Sequence, residues 1–246
     1  MSRIKFMNIH VDNLTTVETL EKISYLIENT RQSYAVTPNV DHIVRLENDN
    51  EFLEIYRNAN LVLTDGQPLI WISKLYGTPI KEKISGSDLF PKVCKMAAEK
   101  GYTMFFLGAA EGVADTAARK LTEKFPGLIV TGTHSPKMGF ENRAEEVQNI
   151  IGIVKKHSPD ILIVGLGAPK QEKFIYRYRE ELNVPVSLAL GASLDFEAGN
   201  IKRAPKWMCK FGLEWFYRLC KEPKRLFKRY IIDDMCILKL AWKYRK

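Results

Sequence analysis

Long apolar runs, paired cysteines and metal-ligand spacings are all scarce in this 246-residue chain. Its best apolar stretch, Ile161 to Ala168, falls well short of the roughly 20 residues a spanning helix needs. Met1 to Asn13 alternates polar with apolar residues instead of forming a signal peptide, so the protein is expected neither to cross a membrane nor to be exported across one. The four cysteines, Cys94, Cys209, Cys220 and Cys236, lie 115, 11 and 16 residues apart with no CxxC pair. That spacing suits reduced cytosolic thiols packed as small apolar residues better than a disulfide framework. His10, His42, His134 and His157 show no HExxH or other zinc spacing, and neither an Asp-x-Asp nor an EF-hand loop occurs. No protein-bound structural metal is expected.

What is present is a globular composition, 46% hydrophobic and 27% charged, in a chain long enough to bury roughly 70–75% of its unfolded surface as one or two domains. Disorder and fibrous repeats are excluded. The net charge of +8 is unevenly spread: residues 201–246 hold 14 Lys and Arg against four Asp and Glu, whereas residues 1–200 hold 23 against 25. The basic character belongs to the tail, and a local excess of this kind points to an anionic partner there, because fields are screened beyond about 10 Å.

Thr15-Thr-Val-Glu18 reads as a capping box, followed by Val17, Leu20, Ile23, Leu26 and Ile27 at helical spacing. Ser33 to Val36 reads as a short strand ending at Thr37-Pro-Asn39, and residues 40–58 as a helical stretch broken near Asn48 to Asn50. Leu61-Val-Leu63 is a second buried strand, ended by Thr64-Asp65-Gly66 and followed by a helix over Pro68 to Tyr76. Helices over 88–100, 113–125, 143–157 and 170–182 then alternate with strands over 102–107, 128–131, 161–164 and 186–190. Strands alternating with helices of this length predict an α/β protein: a mostly parallel, Rossmann-like sheet with helices on both faces. Composition changes at Lys202-Arg-Ala-Pro205, which divides the chain into a catalytic body over 1–200 and an appendage over 201–246.

In such a sheet, ligands bind outside the carboxyl ends of the strands, where loops and helix N-termini converge. Five polar or Gly-rich loops share that rim: Thr37 to Asn39, Asp65, Gly108 to Gly112, Gly165 to Gln171, and Gly191 to Asp195. Asp65 lies between a continuous apolar strand and a Gly-Gln-Pro helix start, where partial burial would raise its pKa and make it a usable base; helix capping is the competing role. Thr37 and Asn39 fit ligand contact or ordinary turn chemistry. Gly108-Ala-Ala-Glu-Gly112 lacks the full GxGxxG, and no strand-end acid follows about 20 residues on, so a nicotinamide enzyme is disfavoured. Lys170 and Gln171, after two glycines, could offer a cation, an amide and backbone donors to a diphosphate.

In the tail, Trp207, Met208, Phe211, Trp215 and Leu219 recur at helical spacing beside Lys210, Arg218 and Lys221. Pro223 then starts a second helix, with Leu226, Phe227, Tyr230 and Ile231 as its stripe and Lys224, Arg225, Lys228 and Arg229 alongside. Two basic amphipathic helices suit an anionic membrane surface, each basic residue contributing about 1 kcal/mol. Packing of the stripe on the body is the alternative. A nucleic-acid role for the tail is the rival outside enzymology, and it is disfavoured because the body offers no basic groove to continue the path.

Taken in order, Thr-Pro-Asn39, Thr-Asp-Gly66, Ser-Gly-Ser-Asp88, Phe-Leu-Gly-Ala-Ala110, Gly-Leu-Gly-Ala-Pro-Lys-Gln-Glu172 and Lys-Arg-Ala-Pro205 closely resemble the WecG/TagA/CpsF family of bacterial glycosyltransferases. The likeness continues through Gly-Leu-Glu-Trp215, Tyr-Arg-Leu219 and Glu-Pro-Lys-Arg225 in the membrane-associated C-terminal segment of that family. The resemblance implies an inverting transferase that moves a sugar, often N-acetylmannosamine, from a UDP donor to an undecaprenyl-diphosphate-linked sugar on the cytoplasmic leaflet, for cell-wall or surface polysaccharide synthesis. It implies Asp65 as the base, Thr37 and Asn39 as an active-site pair, Gln171 as an amide near the donor, and Arg218 and Arg225 as arginines closing over the diphosphate.

Gln67, Lys83, Gly108 and Ala109 complete the expected substrate-binding set with Lys170. Thr64 stands where TagA-like members often have proline, Gln67-Pro68 replaces a small residue and glycine, and Lys83 stands where an arginine can occur. These departures flank the base and leave another UDP-hexose or a uronic acid open as donor. No Asp-x-Asp is present to hold a divalent ion, so Lys170, Arg218, Arg225 and helix N-termini are the expected stabilisers of departing UDP, with no cofactor. The apolar tail leaves room for a homo-oligomer.

Overall fold

Alternation of strand and helix carries directly into three dimensions. The computed structural model describes residues 3–205, 208, 213–221, 223–227 and 235–245, without the side chains of residues 218, 225 and 226. The expectations placed on Trp207, Cys209, Lys210, Phe211, Lys228, Arg229, Tyr230 and Ile231 lie outside the described residues.

The chain opens with an antiparallel hairpin, β1 (Arg3–Phe6) and β2 (Ile9–Asp12), turned at Met7 with φ 50°. Helix α1 (Thr16–Asn29) starts at the expected capping box, with the Thr15 side chain on the Glu18 N–H and the Glu18 carboxylate on the Thr15 N–H. Then follow β3 (Ser33–Val36), α2 (Val40–Arg45), α3 (Asn50–Asn58), β4 (Leu61–Val62), α4 (Gln67–Leu75) and α5 (Gly86–Lys100). The second half runs β5 (Thr103–Gly108), α6 (Val113–Lys124), β6 (Ile129–His134), a 3-10 turn (Phe140–Asn142), α7 (Ala144–His157), β7 (Ile161–Gly165), α8 (Lys170–Leu182), β8 (Val186–Ala189) and α9 (Ser193–Ala198). In the tail lie α10 (Glu214–Lys221), α11 (Pro223–Phe227) and α12 (Cys236–Lys243).

Six strands form one parallel sheet in the order β4-β3-β8-β7-β5-β6. Both faces are covered, so alternate side chains of one strand enter different cores: Phe105 and Leu107 of β5 pack with α2, α3, α7 and α8, while Met104 and Phe106 pack with α1, α5, α6 and α9. Burial of this kind contributes about 1.5–3 kcal/mol per large apolar side chain, which makes the central strands the fixed frame of the molecule. Connections from β5 and β7 leave in opposite directions, so the sheet has a switch point between these neighbours, where ligand clefts open in parallel sheets.

Two features depart from the expected layout. The N-terminal hairpin was legible only as alternation; the Asp12 carboxylate accepts the Val62 N–H at 2.8 Å and so shields edge strand β4. Part of the appendage is seated on the body: Ile237 and Ala241 of α12 are buried in the α2–α3–α8 core, the Tyr76 hydroxyl donates to the Ala241 carbonyl at 2.8 Å, and Lys243 pairs with Glu47 at 2.6 Å. Of the cysteines, Cys94 is buried as a packing residue, whereas Cys220 and Cys236 are exposed, so the packing role does not extend to them.

Candidate active site

Backbone bonds fasten the expected rim together. The Leu63 N–H donates to Val36 O at 2.9 Å and the Asp65 N–H to Pro38 O at 2.8 Å, which places the Asp65 loop against Thr37-Pro-Asn39. Ile84 N–H donates to Thr64 O at 2.9 Å, bringing the segment with Lys83 to the same place. On the other side, buried Thr37 donates its hydroxyl to Ala189 O at 3.3 Å, Leu190 N–H to Val164 O at 3.1 Å, and Ala109 N–H to Gly165 O at 2.9 Å. The loops after β3, β4, β8, β7 and β5 therefore form one continuous edge.

Asp65 stands just past the end of β4 and is not the N-cap residue of the helix that follows. The N-cap of α4 is Gly66, at φ 110°, with no side-chain capping bond. The N-cap position thus belongs to Gly66 and not to Asp65, and the first turn of α4, with Gln67 and Pro68, follows directly after it. Asn39 does cap: its Oδ1 accepts the His42 N–H at 3.2 Å at the start of α2, so the turn chemistry read for Thr-Pro-Asn is realised there.

At the switch point, Gly108 adopts φ 120°, and a Cβ there would meet Gly165 O at 2.4 Å. Only glycine permits β5 and β7 to approach so closely. Ala109 follows at φ 61°, and the Ser135 hydroxyl lies 3.1 Å from both Gly108 O and Ala110 O. Neither α6, which begins after Gly112, nor α8, which begins after Pro169, has a side-chain cap. Four helix starts on one rim, those of α4, α6, α8 and α9, thus have N-cap residues that make no side-chain capping bond.

Gln171 is buried at 2% exposure and both ends of its amide are occupied: Nε2 donates to Glu172 Oε1 at 2.8 Å, and Oε1 accepts the Gly191 N–H at 3.1 Å. Lys170, expected to face a diphosphate, pairs with Glu141 of the 3-10 turn. Lys83 lies 3.7 Å from Glu214 of α10, and Arg203 reaches Asp88 at 3.1 Å, so the tail is tied to the rim at the start of α5. Burial raises Asp88, while the Ser85 hydroxyl and the Arg203 charge lower it, leaving its carboxyl below the ordinary value. Arg218 and Arg225 occupy backbone positions on α10 and α11; their side chains lie outside the described residues. The Asp88–Arg203 pair and buried Glu172 were not singled out from sequence, although both lie inside quoted motifs. Among the described residues, no three His, Cys, Asp or Glu side chains gather as a metal site.

A strand-end carboxylate, a held amide and several helix starts gathered along the carboxyl edge of a parallel sheet are the arrangement in which α/β enzymes bind their ligands. The chain belongs to the WecG/TagA/CpsF glycosyl transferase family, whose model matches residues 4–246. It is 33% identical over 212 residues to the N-acetylglucosaminyldiphosphoundecaprenol N-acetyl-beta-D-mannosaminyltransferase of Bacillus spizizenii strain W23, covering 86% of this chain and 80% of that protein. The protein of the same name from Bacillus subtilis strain 168 is 30% identical over 214 residues, 87% of this chain and 80% of its own length. That of Staphylococcus aureus strain MW2 is 27% identical over 227 residues, 92% and 87%.

Proposed function

We propose that this protein transfers N-acetylmannosamine, with inversion, from a UDP donor to N-acetylglucosamine linked through diphosphate to undecaprenol. Asp65 takes the proton of the acceptor hydroxyl as its oxygen bonds to the anomeric carbon and the bond from that carbon to UDP breaks. The charge left on UDP is met by the N–H groups that open α4, α6 and α8 and by Arg218 and Arg225, with no metal or other cofactor. Thr37, Asn39, Gln67, Lys83, Gly108, Ala109 and Gln171 shape the donor and acceptor sites; Lys170 joins them if its pairing with Glu141 gives way to a diphosphate.

The observation that carries the reading is the place of Asp65, at the end of a buried strand on the shared rim and one residue before the Gly66 N-cap, in a chain aligned over most of its length with mannosaminyltransferases. The enzyme works peripherally on the cytoplasmic leaflet, with residues 201–246 as its cationic, membrane-facing appendage and with self-association through that appendage when lipid is absent. No helix among the described residues is long and apolar enough to cross a membrane. Incubation with UDP-N-acetylmannosamine and lipid-diphosphate-linked N-acetylglucosamine tests the proposal. Wild type releases UDP and lengthens the acceptor, and Asp65→Ala is slower by about 10²–10⁴, the range for loss of a general base. Equal turnover by the variant, or no UDP release by wild type, counts against it.

A further inference from the structure

Beneath the Gln171 amide lies a carboxylate that the transfer chemistry does not use. Glu172 is fully buried on the inner side of α8, with Oε1 accepting from Gln171 Nε2 at 2.8 Å. Gln171 in turn accepts from the Gly191 N–H at 3.1 Å, so carboxylate, amide and the loop after β8 are joined in series. The second carboxylate oxygen, Oε2, is buried without a hydrogen-bond partner. Asp41 and Arg45 of α2 and Tyr56 of α3 face the group electrostatically, with buried His42 of α2 behind them at 2.9 Å from the Tyr56 hydroxyl, while β7 and β8 bring no titratable side chain to it. Stability alone favours an apolar residue at such a position, because an ionised carboxylate with one oxygen unsatisfied is costly to bury.

We propose that Glu172 is a positioning residue of the donor site: it fixes the Gln171 amide and, through it, the Gly191 loop in the orientation that receives a UDP-sugar. The assignment rests on the transferase reading above. Burial pushes the Glu172 carboxyl up to about 7, so its charge changes in the neutral range. The ionised form makes the stronger, charge-assisted bond to Gln171 Nε2, and donor affinity therefore rises as pH rises through about 7. The diphosphate diester of a UDP-sugar has no ionisation in that window, which leaves the change to the protein.

Calorimetric titration of the full chain with UDP-N-acetylmannosamine at pH 6 and pH 8 tests this in wild type, Glu172→Gln and Glu172→Ala. Wild type binds roughly fivefold tighter at pH 8, a free-energy difference on the scale of one charge-assisted bond. Glu172→Gln, which still accepts from Gln171 but cannot ionise, matches wild type at pH 6 and shows the same affinity at both pH values. Glu172→Ala is weaker by about tenfold at pH 8, with kcat at saturating donor within about threefold of wild type. A merely structural role would move melting temperature and leave this pH difference in place. Persistence of the pH dependence in Glu172→Gln overturns the assignment, and that variant decides the matter should Glu172→Ala fail to fold. Wild type binding UDP-sugar with a pH-independent affinity overturns this assignment alone; failure of wild type to bind any UDP-sugar overturns the transferase reading and the assignment with it.

Discussion

Single residues near the rim carry a conflict between stability and use, and Glu172 shows it most directly. Its carboxyl lies at about 7 in the folded protein against an ordinary 4.5, because burial penalises the charge. For an acid the sign is unfavourable: below about 4.5 both folded and unfolded states hold the proton and nothing is lost, whereas above about 7 the folded state must carry a buried charge. Folding stability therefore falls between those limits by about 3 kcal/mol from this group. Glu172→Gln should remove that slope, so its melting temperature relative to wild type climbs from pH 5 to pH 8. A constant difference across that range would show that Glu172 is not the titrating group. Such groups are tolerated in proteins mainly where they serve a site.

At the scale of elements, the legible parts of the sequence were those whose local chemistry and tertiary surroundings agree. Helix α8 has its expected bounds because two glycines and a proline precede it and Asn183, in the left-handed conformation, ends it. The strand-end placement of Asp65 was legible because its strand is a continuous apolar run, and that of Gln171 at a helix start because two glycines precede it. Glu172 was not, since a glutamate on a helix rich in Lys, Arg and Glu reads as surface until the packing of α2 and α3 over it is known. Hairpin β1–β2 escaped because its four-residue strands meet at Met7-Asn8, without the glycine that marks most tight turns. Helix α12 was hidden in the basic tail, although Ile237 and Ala241, four apart, form a buried face on the body while Leu238 and Trp242 stay exposed. Ala241→Glu should force a charge into that seat and lower stability by about 2 kcal/mol, limited by the release of the helix. Tyr76→Phe should cost about 1 kcal/mol through the lost bond to Ala241 O. Unchanged thermal melting in both would show that α12 does not hold this position in solution.

For the whole molecule, charge and apolar exposure coincide at one end of the chain. Of 13 exposed large hydrophobic side chains among the described residues, seven fall at or after Leu213, including Trp215, Phe216, Phe227, Leu238 and Trp242. The same segment carries the chain's basic excess. Exposed aromatics beside Lys and Arg are unfavourable in water and are stabilised at an anionic bilayer surface, where apolar bodies enter the interface and cations stay at the headgroups. The two contributions separate by salt, because raising it from 0.1 to 1 M shortens the screening length from about 10 to about 3 Å and leaves apolar insertion in place. Co-sedimentation with phosphatidylglycerol-containing vesicles should therefore fall steeply with salt in wild type. Trp242→Ala with Leu238→Ala, which spares the buried face of α12, should weaken binding at every salt concentration without lowering the melting temperature. Equal binding to neutral and anionic vesicles, insensitive to salt, would remove the tail's charge from the account and leave lipid-linked acceptor capture to apolar contact alone.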